Sequence, residues 1–286
     1  MSIHPENVLS RKRVASLGAW LVLSGMLLLP GRGAAQLITL TDGGSTATVD
    51  LSSSAGMNSW TVNGQNQLNQ QWFWYRTDNG VAQPINTIGG LQYQTTGGNT
   101  LDAIYQNNQL SVDIIYTLTG GGVGSGNADI TEQIMVINQS SSALNLNFYQ
   151  YSNFNLLGVA NDNVQIIGGP GNYNFVRQWN GSTAIQEAVT APSALNAEAE
   201  LNGQTLNELN TTPGLTLNDN LTAGPGNVTW ALQWSSTLDA DGGEFDLTKD
   251  KSLSIQVVPE PSAAVLAVLG GLCLTGWTVR RRHSAS

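Results

Sequence analysis

Residues Leu110 to Leu118 read LSVDIIYTL, and Leu110, Val112, Ile114, Tyr116 and Leu118 alternate with Ser111, Asp113, Ile115 and Thr117. A period of two with one apolar and one mostly polar face is the mark of a strand half-buried in an antiparallel sheet. The pattern recurs outward from this stretch. Val228, Trp230, Leu232 and Trp234 alternate with Thr229, Ala231, Gln233 and Ser235, and Leu144, Leu146 and Phe148 with Asn145, Asn147 and Tyr149. Further strands are expected at Thr46–Leu51, Gln71–Thr77, Leu101–Gln106, Ile130–Asn138, Val164–Ile167, Asn174–Trp179, Thr183–Val189, Glu244–Thr248 and Leu253–Val257. Asp42-Gly43-Gly44, Asn79-Gly80, Gly120 to Gly126, Gly168 to Gly171, Asn180-Gly181 and Gly224-Pro225-Gly226 supply turns between them. Only Pro192 to Leu209 leaves room for a short helix. Many short strands and no Pro- or Ser-rich linker predict one all-β domain over residues 37–257, an antiparallel β-sandwich.

Composition narrows the chemistry. The chain has 286 residues, of which only 11% are charged, and residues 37–257 hold four basic side chains (Arg76, Arg177, Lys249, Lys251) against 18 acidic, a formal charge of −14. Such a surface repels phosphate backbones, which excludes nucleic acid as a partner. His4, Cys273 and His283 are the sole histidines and cysteine, and all lie outside this region. The folded part therefore has no disulfide, no Ser-His-Asp triad, no Cys-His pair and no histidine ligand for zinc. Hydrolysis by two carboxylates remains open, but no spacing singles out a pair.

Both ends carry signals. Arg11-Lys12-Arg13, the apolar Val14 to Leu29 and the small residues Gly33-Ala34-Ala35 form a secretory signal peptide over residues 1–35. At the other end Pro259-Glu260-Pro261 precedes an apolar run over residues 262–279, long enough for a transmembrane helix, and then Arg280-Arg281-Arg282. Arginines after an apolar span stay cytoplasmic, which leaves the β domain on the outer side of the inner membrane.

This tail, residues 258–283, resembles the PEP-CTERM sorting signal of Gram-negative bacteria that make extracellular polysaccharide. The resemblance implies export through signal peptidase, transient anchoring in the inner membrane, processing by an exosortase and delivery to the cell surface or extracellular matrix. Gly56 to Tyr75 is also similar to other exported proteins that carry this tail, a likeness to which no activity attaches.

Two stretches are candidate sites in the middle of the chain. Trp72, Trp74, Tyr75 and Arg76 form an aromatic run that, if one face were exposed, would stack on the rings of an extracellular polysaccharide; a strand buried on both faces is the other reading. Asp239, Asp241, Glu244 and Asp246 place four carboxylates in a glycine turn, a candidate calcium site, with a solvated acidic hairpin as the alternative. Without a catalytic signature, the expectation is a non-enzymatic surface or matrix protein with a structural or adhesive role in exopolysaccharide or biofilm. A carbohydrate-binding module on the aromatic face is the alternative, and a carboxylate-dependent glycosidase the third reading.

Overall fold

A computed structural model of the chain describes residues 35–255. The segments read as a signal peptide and as a PEP-CTERM tail, including Pro259, Glu260, Pro261 and Arg280 to Arg282, lie outside the described residues, apart from Ala35. Among the described residues no helix is long and apolar enough to cross a membrane.

Strands β1 (Leu37–Asp42), β2 (Ser45–Asp50), β3 (Gly56–Val62), β4 (Gln65–Asn66), β5 (Leu68–Arg76) and β6 (Gln83–Pro84) come first, followed by a 3-10 turn at Ile85–Ile88. Next are β7 (Gln92–Thr96), β8 (Thr100–Gln106), β9 (Leu110–Gly120), β10 (Asn127–Asn138) and β11 (Leu144–Phe154). They lead into β12 (Asp162–Gly169), β13 (Asn172–Asn180), β14 (Thr183–Ala191), β15 (Asn196–Leu201) and helix α1 (Gln204–Thr211). β16 (Thr222–Gly226), β17 (Val228–Leu238) and β18 (Glu244–Ser254) close the domain.

The strands form two nine-stranded sheets. One runs β1-β2-β3-β5-β11-β17-β15, with β4 on β3 and β6 on β5; the other runs β16-β12-β13-β14-β18-β10-β9-β8-β7. Every pairing is antiparallel except a short parallel contact between β3 and β5. The two sheets pack face to face: Phe148 of β11 lies 6.3 Å from Phe245 of β18, and the Trp230 indole of β17 donates to Gln178 Oε1 of β13 at 3.1 Å. The expected inward side of β9, from Leu110 to Leu118, is buried at every second position.

One expectation about the strands is corrected. Glu244–Thr248 and Leu253–Val257 were read as two strands, but β18 runs unbroken from Glu244 to Ser254, because Lys249 and Lys251 between them turn into the core. The segment Pro192 to Leu209 holds strand β15 and then the short helix expected there, which begins at Gln204 and runs on to Thr211. Trp60, Trp230 and Trp234 lie in the core, whereas Trp179 is half-buried on an outer face with the Arg177 guanidinium 5.2 Å above its ring.

Inside, four charges meet. Glu132 of β10 and Glu187 of β14 flank β18, directly opposite Lys249 and Lys251, and all four side chains are almost completely buried. Lys251 lies 2.6 Å from Glu132 and 3.3 Å from Glu187; Lys249 contacts Glu132 and lies 3.7 Å from Glu187. Gln150 of the facing sheet donates to Glu187 at 2.7 Å and accepts from Lys249. Burial opposes ionisation, but the two lysines outweigh it and hold Glu132 below the usual carboxylate range.

Where β3 begins, Gly56 has φ +55°, and a Cβ there would strike the indole of Trp72 and the carbonyl of Gln71. Gly56→Ala combines left-handed strain with overpacking and should cost about 2 kcal/mol or more, read as a lower urea midpoint. An unchanged midpoint would show that β3 and β5 can move apart freely.

Candidate active site

The aromatic run does not present a binding face. Trp72 and Trp74 are fully buried, Arg76 is nearly so, and Tyr75 is half-buried against the core. β5 lies inside its sheet between β3 and β11, and both of its sides are covered. The Trp72 indole donates to Asn86 in the 3-10 turn at 3.3 Å, the Trp74 indole to Asn210 of α1 at 3.2 Å, and Arg76 to the Leu215 carbonyl at 3.2 Å. The other side of the strand, with Phe73 stacked on Phe148 at 5.5 Å, faces the second sheet.

The acidic hairpin does not converge either. Asp239 and Asp241 sit in the β17–β18 turn, and Asp241 takes a positive φ of 55°. Glu244 and Asp246 project from the exposed side of β18 two residues apart. Among the described residues no group of three or more His, Cys, Asp or Glu is gathered to hold a metal ion. The hairpin is spread by the pleat, which sends its strand carboxylates onto the sheet face and leaves the others in the turn.

That sheet face is where carboxylates do come together. The outward residues of β7, β8, β9, β10 and β18 include Gln94, Asp102, Asp113, Gln133, Asp246 and Thr248, with Ile104, Ile115 and Met135 as an apolar floor. Asp113 is directly opposite Met135, and Met135 is directly opposite Asp246. The two aspartates therefore stand level on one face, two strand spacings or about 9.5 Å apart at Cα. Between them lies a shallow groove of about 270 Å³, lined by Asp113, Ile115, Gln133, Met135, Asp246 and Thr248.

Asp113 has a perturbed carboxyl. Partial burial, then the charge of Asp102 and a hydrogen bond with it, push the Asp113 carboxyl up to about 6. Oδ1 of Asp102 and Oδ1 of Asp113 are both buried without a donor, which favours a proton on the Asp113 carboxyl beside its acidic neighbour. Gln94 donates to the other oxygen of Asp102 at 2.8 Å. Farther along the face Asp129 is pushed up to about 7 by burial and by the neighbouring carboxyl of Asp250. Asp246 was singled out from sequence for another purpose, and Asp113 was read only as part of a polar face. Their pairing depends on the register of three strands, which no local pattern discloses.

These shifts set the pH dependence of stability. Asp113, Asp129 and the buried Glu198, raised to about 7 mainly by burial, keep protons in the fold that the unfolded chain has released. Between about pH 4 and pH 7 the native state thus binds more protons, so stability falls as pH rises. We expect the melting temperature to decline across that window; a flat or rising profile would contradict the assignment.

No protein-family model matches the chain, and no curated protein is similar to it in sequence. Solved structures share its fold. The Slr1438 protein of Synechocystis sp. PCC 6803 is 9% identical with a TM-score of 0.54, over 82% of this chain and 100% of that one. A galactose mutarotase-like protein from Lactobacillus casei ATCC 334 is 9% identical with a TM-score of 0.50, over 76% and 99%. A bacterial glucoamylase complexed with acarbose is 8% identical with a TM-score of 0.53, over 84% of this chain but only 36% of the glucoamylase.

At these identities the likeness is one of fold, and it corrects the expectation of a non-enzymatic structural or adhesive protein. That expectation rested on a β domain without a visible catalytic signature. The fold is instead one that a galactose mutarotase-like protein and part of a glucoamylase also have, and it carries a carboxylate-lined groove on an open sheet face.

Proposed function

We propose that this chain is an exported carbohydrate-active enzyme that hydrolyses a glycosidic bond between Asp113 and Asp246. The observation that carries the reading is the register that sets Asp113, its carboxyl pushed up by burial and by Asp102, level with Asp246 across an open groove. Asp113 gives its proton to the leaving oxygen as the C1–O bond breaks. Asp246 takes a proton from water as the new C1–O bond forms on the opposite side of the ring. Inverting pairs hold their carboxyl groups about 6.5 to 9.5 Å apart and retaining pairs about 5 to 5.5 Å, and the two-strand Cα spacing favours the wider arrangement, hence inversion of the anomeric centre. Ile115 and Met135 meet the C–H face of the sugar, while Gln133 and Thr248 bond its hydroxyls.

The fold shared with a galactose mutarotase-like protein favours a second reading, interconversion of anomers by the same pair. There Asp113 would protonate the ring oxygen and Asp246 would accept the proton of the anomeric hydroxyl. Under either reading the signal peptide and the PEP-CTERM tail would deliver a sandwich domain to the outer surface through an exosortase, where polysaccharide is encountered.

The test is to incubate the purified full-length chain with neutral oligosaccharides, follow new reducing ends, and read the first anomer formed by NMR. Hydrolysis predicts new ends of inverted configuration. Faster exchange between anomers without new ends selects the second reading. Neither, in the wild-type chain, would remove the enzyme proposal.

A further inference from the structure

The catalytic groove is not isolated on its sheet. A second depression of about 230 Å³ lies beside it, lined by Gln92, Tyr93, Gln94, Asp102 and Ile104. The two adjoin across one strand pairing: Ile104 is directly opposite Asp113, and Asp102 is directly opposite Ile115. From Gln94 on β7 to Asp246 on β18 the surface crosses four strand spacings, about 19 Å, which is longer than a single sugar ring. Neither depression is large enough to enclose a ligand in the manner of a closed pocket, which takes about 300 Å³ or more. A ligand held here must gather its contacts along the surface.

We infer that the two depressions form one extended groove for a neutral glycan chain, lying across β7, β8, β9, β10 and β18, with Gln92 and Gln94 binding sugars beyond the reacting one. The inference rests on the enzyme reading above and names its substrate class. Charge supports it, because no Lys or Arg faces outward from these five strands, and Arg177 is the only exposed basic side chain among the described residues. An acidic polysaccharide would meet only carboxylates of its own sign, whereas a hydroxyl-rich neutral chain finds amide donors and acceptors. Tyr93, between Gln92 and Gln94 on β7, is directly opposite the buried Ala103 and points to the other face, where its hydroxyl accepts from Gln36 at 2.7 Å and ties the edge strand to the second sheet.

The experiment measures binding of the full-length chain to glucose, to α- and β-linked gluco-oligosaccharides of increasing length, and to oligogalacturonate, by calorimetry. Affinity should rise by about tenfold from the single sugar to a chain that fills the groove in one of the neutral series, the equivalent of one or two added hydrogen bonds. The double variant Gln92→Ala, Gln94→Ala should lose most of that gain, with a smaller loss for glucose, and oligogalacturonate should not bind. Affinity independent of length, an equal loss for all lengths in the variant, or no binding of any neutral oligomer overturns the inference. Its fate is separable from that of the enzyme reading. Length-dependent binding without turnover keeps the groove and removes the catalysis, whereas turnover that ignores length keeps the catalysis and removes the groove.

Discussion

Lys249→Met should destabilise the domain by about 3 to 5 kcal/mol, among the largest losses available to a single substitution here. The lysine lies fully buried between two sheets, its ammonium 4.7 Å from the Phe73 ring and in contact with Glu132 and Gln150. Methionine fills much of the same volume, so the loss is electrostatic in origin: Glu132 and Glu187 are left with Lys251 alone, one negative charge in excess where water does not reach. The double substitution Lys249→Met, Glu132→Leu removes one charge of each sign and should recover a large part of the loss, since a buried pair replaced as a whole is often nearly neutral. Urea unfolding of the three proteins checks this. A single variant within about 1 kcal/mol of the wild type would mean that Lys249 is not charged in the core. The acid side has its own sign: the folded value of Glu132 lies below the unfolded one, so its contribution is present above about pH 4.5 and is lost as pH falls through the folded value.

The same quartet shows what the sequence could and could not disclose. Alternation alone located β9, β11 and β17, because the positions that carry it, such as Val112 and Ile114, Leu146 and Phe148, and Trp230 and Leu232, are apolar and buried, although the same phase of β11 goes on through Gln150 and Ser152. It failed at β18, where the run Thr248-Lys249-Asp250-Lys251 looks like an exposed turn if charge is assumed to lie outside. The phase held the answer: Lys249 and Lys251 are in step with Phe245, Leu247 and Leu253, as Glu132 is with Ile130 and Ile134, and Glu187 with Ile185 and Val189. Charges of opposite sign in the apolar phase of different strands can neutralise one another in the interior, but only the register shows that they meet. The aromatic run failed for the converse reason. Trp72 and Trp74 could have been exposed or covered, and the cover comes from Asn86 and from Asn210, which is more than a hundred residues away in sequence. The candidate site was hidden by the same non-locality, since Asp102, Asp113 and Asp246 lie on three strands and each alone reads as an ordinary solvated side chain.

Asp113→Asn should lower the turnover of a neutral oligosaccharide by about 10²- to 10⁴-fold, the range for loss of a general acid or base, with little change in stability. Asparagine keeps the shape and the hydrogen-bonding reach of the side chain but has no proton to give a leaving oxygen. Asp246→Asn should be similarly inactive, because water is then attacked by no base. A substrate with a leaving group that needs no protonation separates the two roles: it should restore much of the rate to Asp113→Asn and none to Asp246→Asn. The pH profile supplies a further check. With Asp113 raised to about 6, activity should fall as pH climbs past that value and the acid is spent. Burial is the larger cause of that shift and Asp102 the next, so Asp102→Asn should move the alkaline limb to lower pH without erasing it. A limb that stays in place in Asp102→Asn, or turnover that survives in Asp113→Asn, would assign the proton to another group and take the reaction away from this groove.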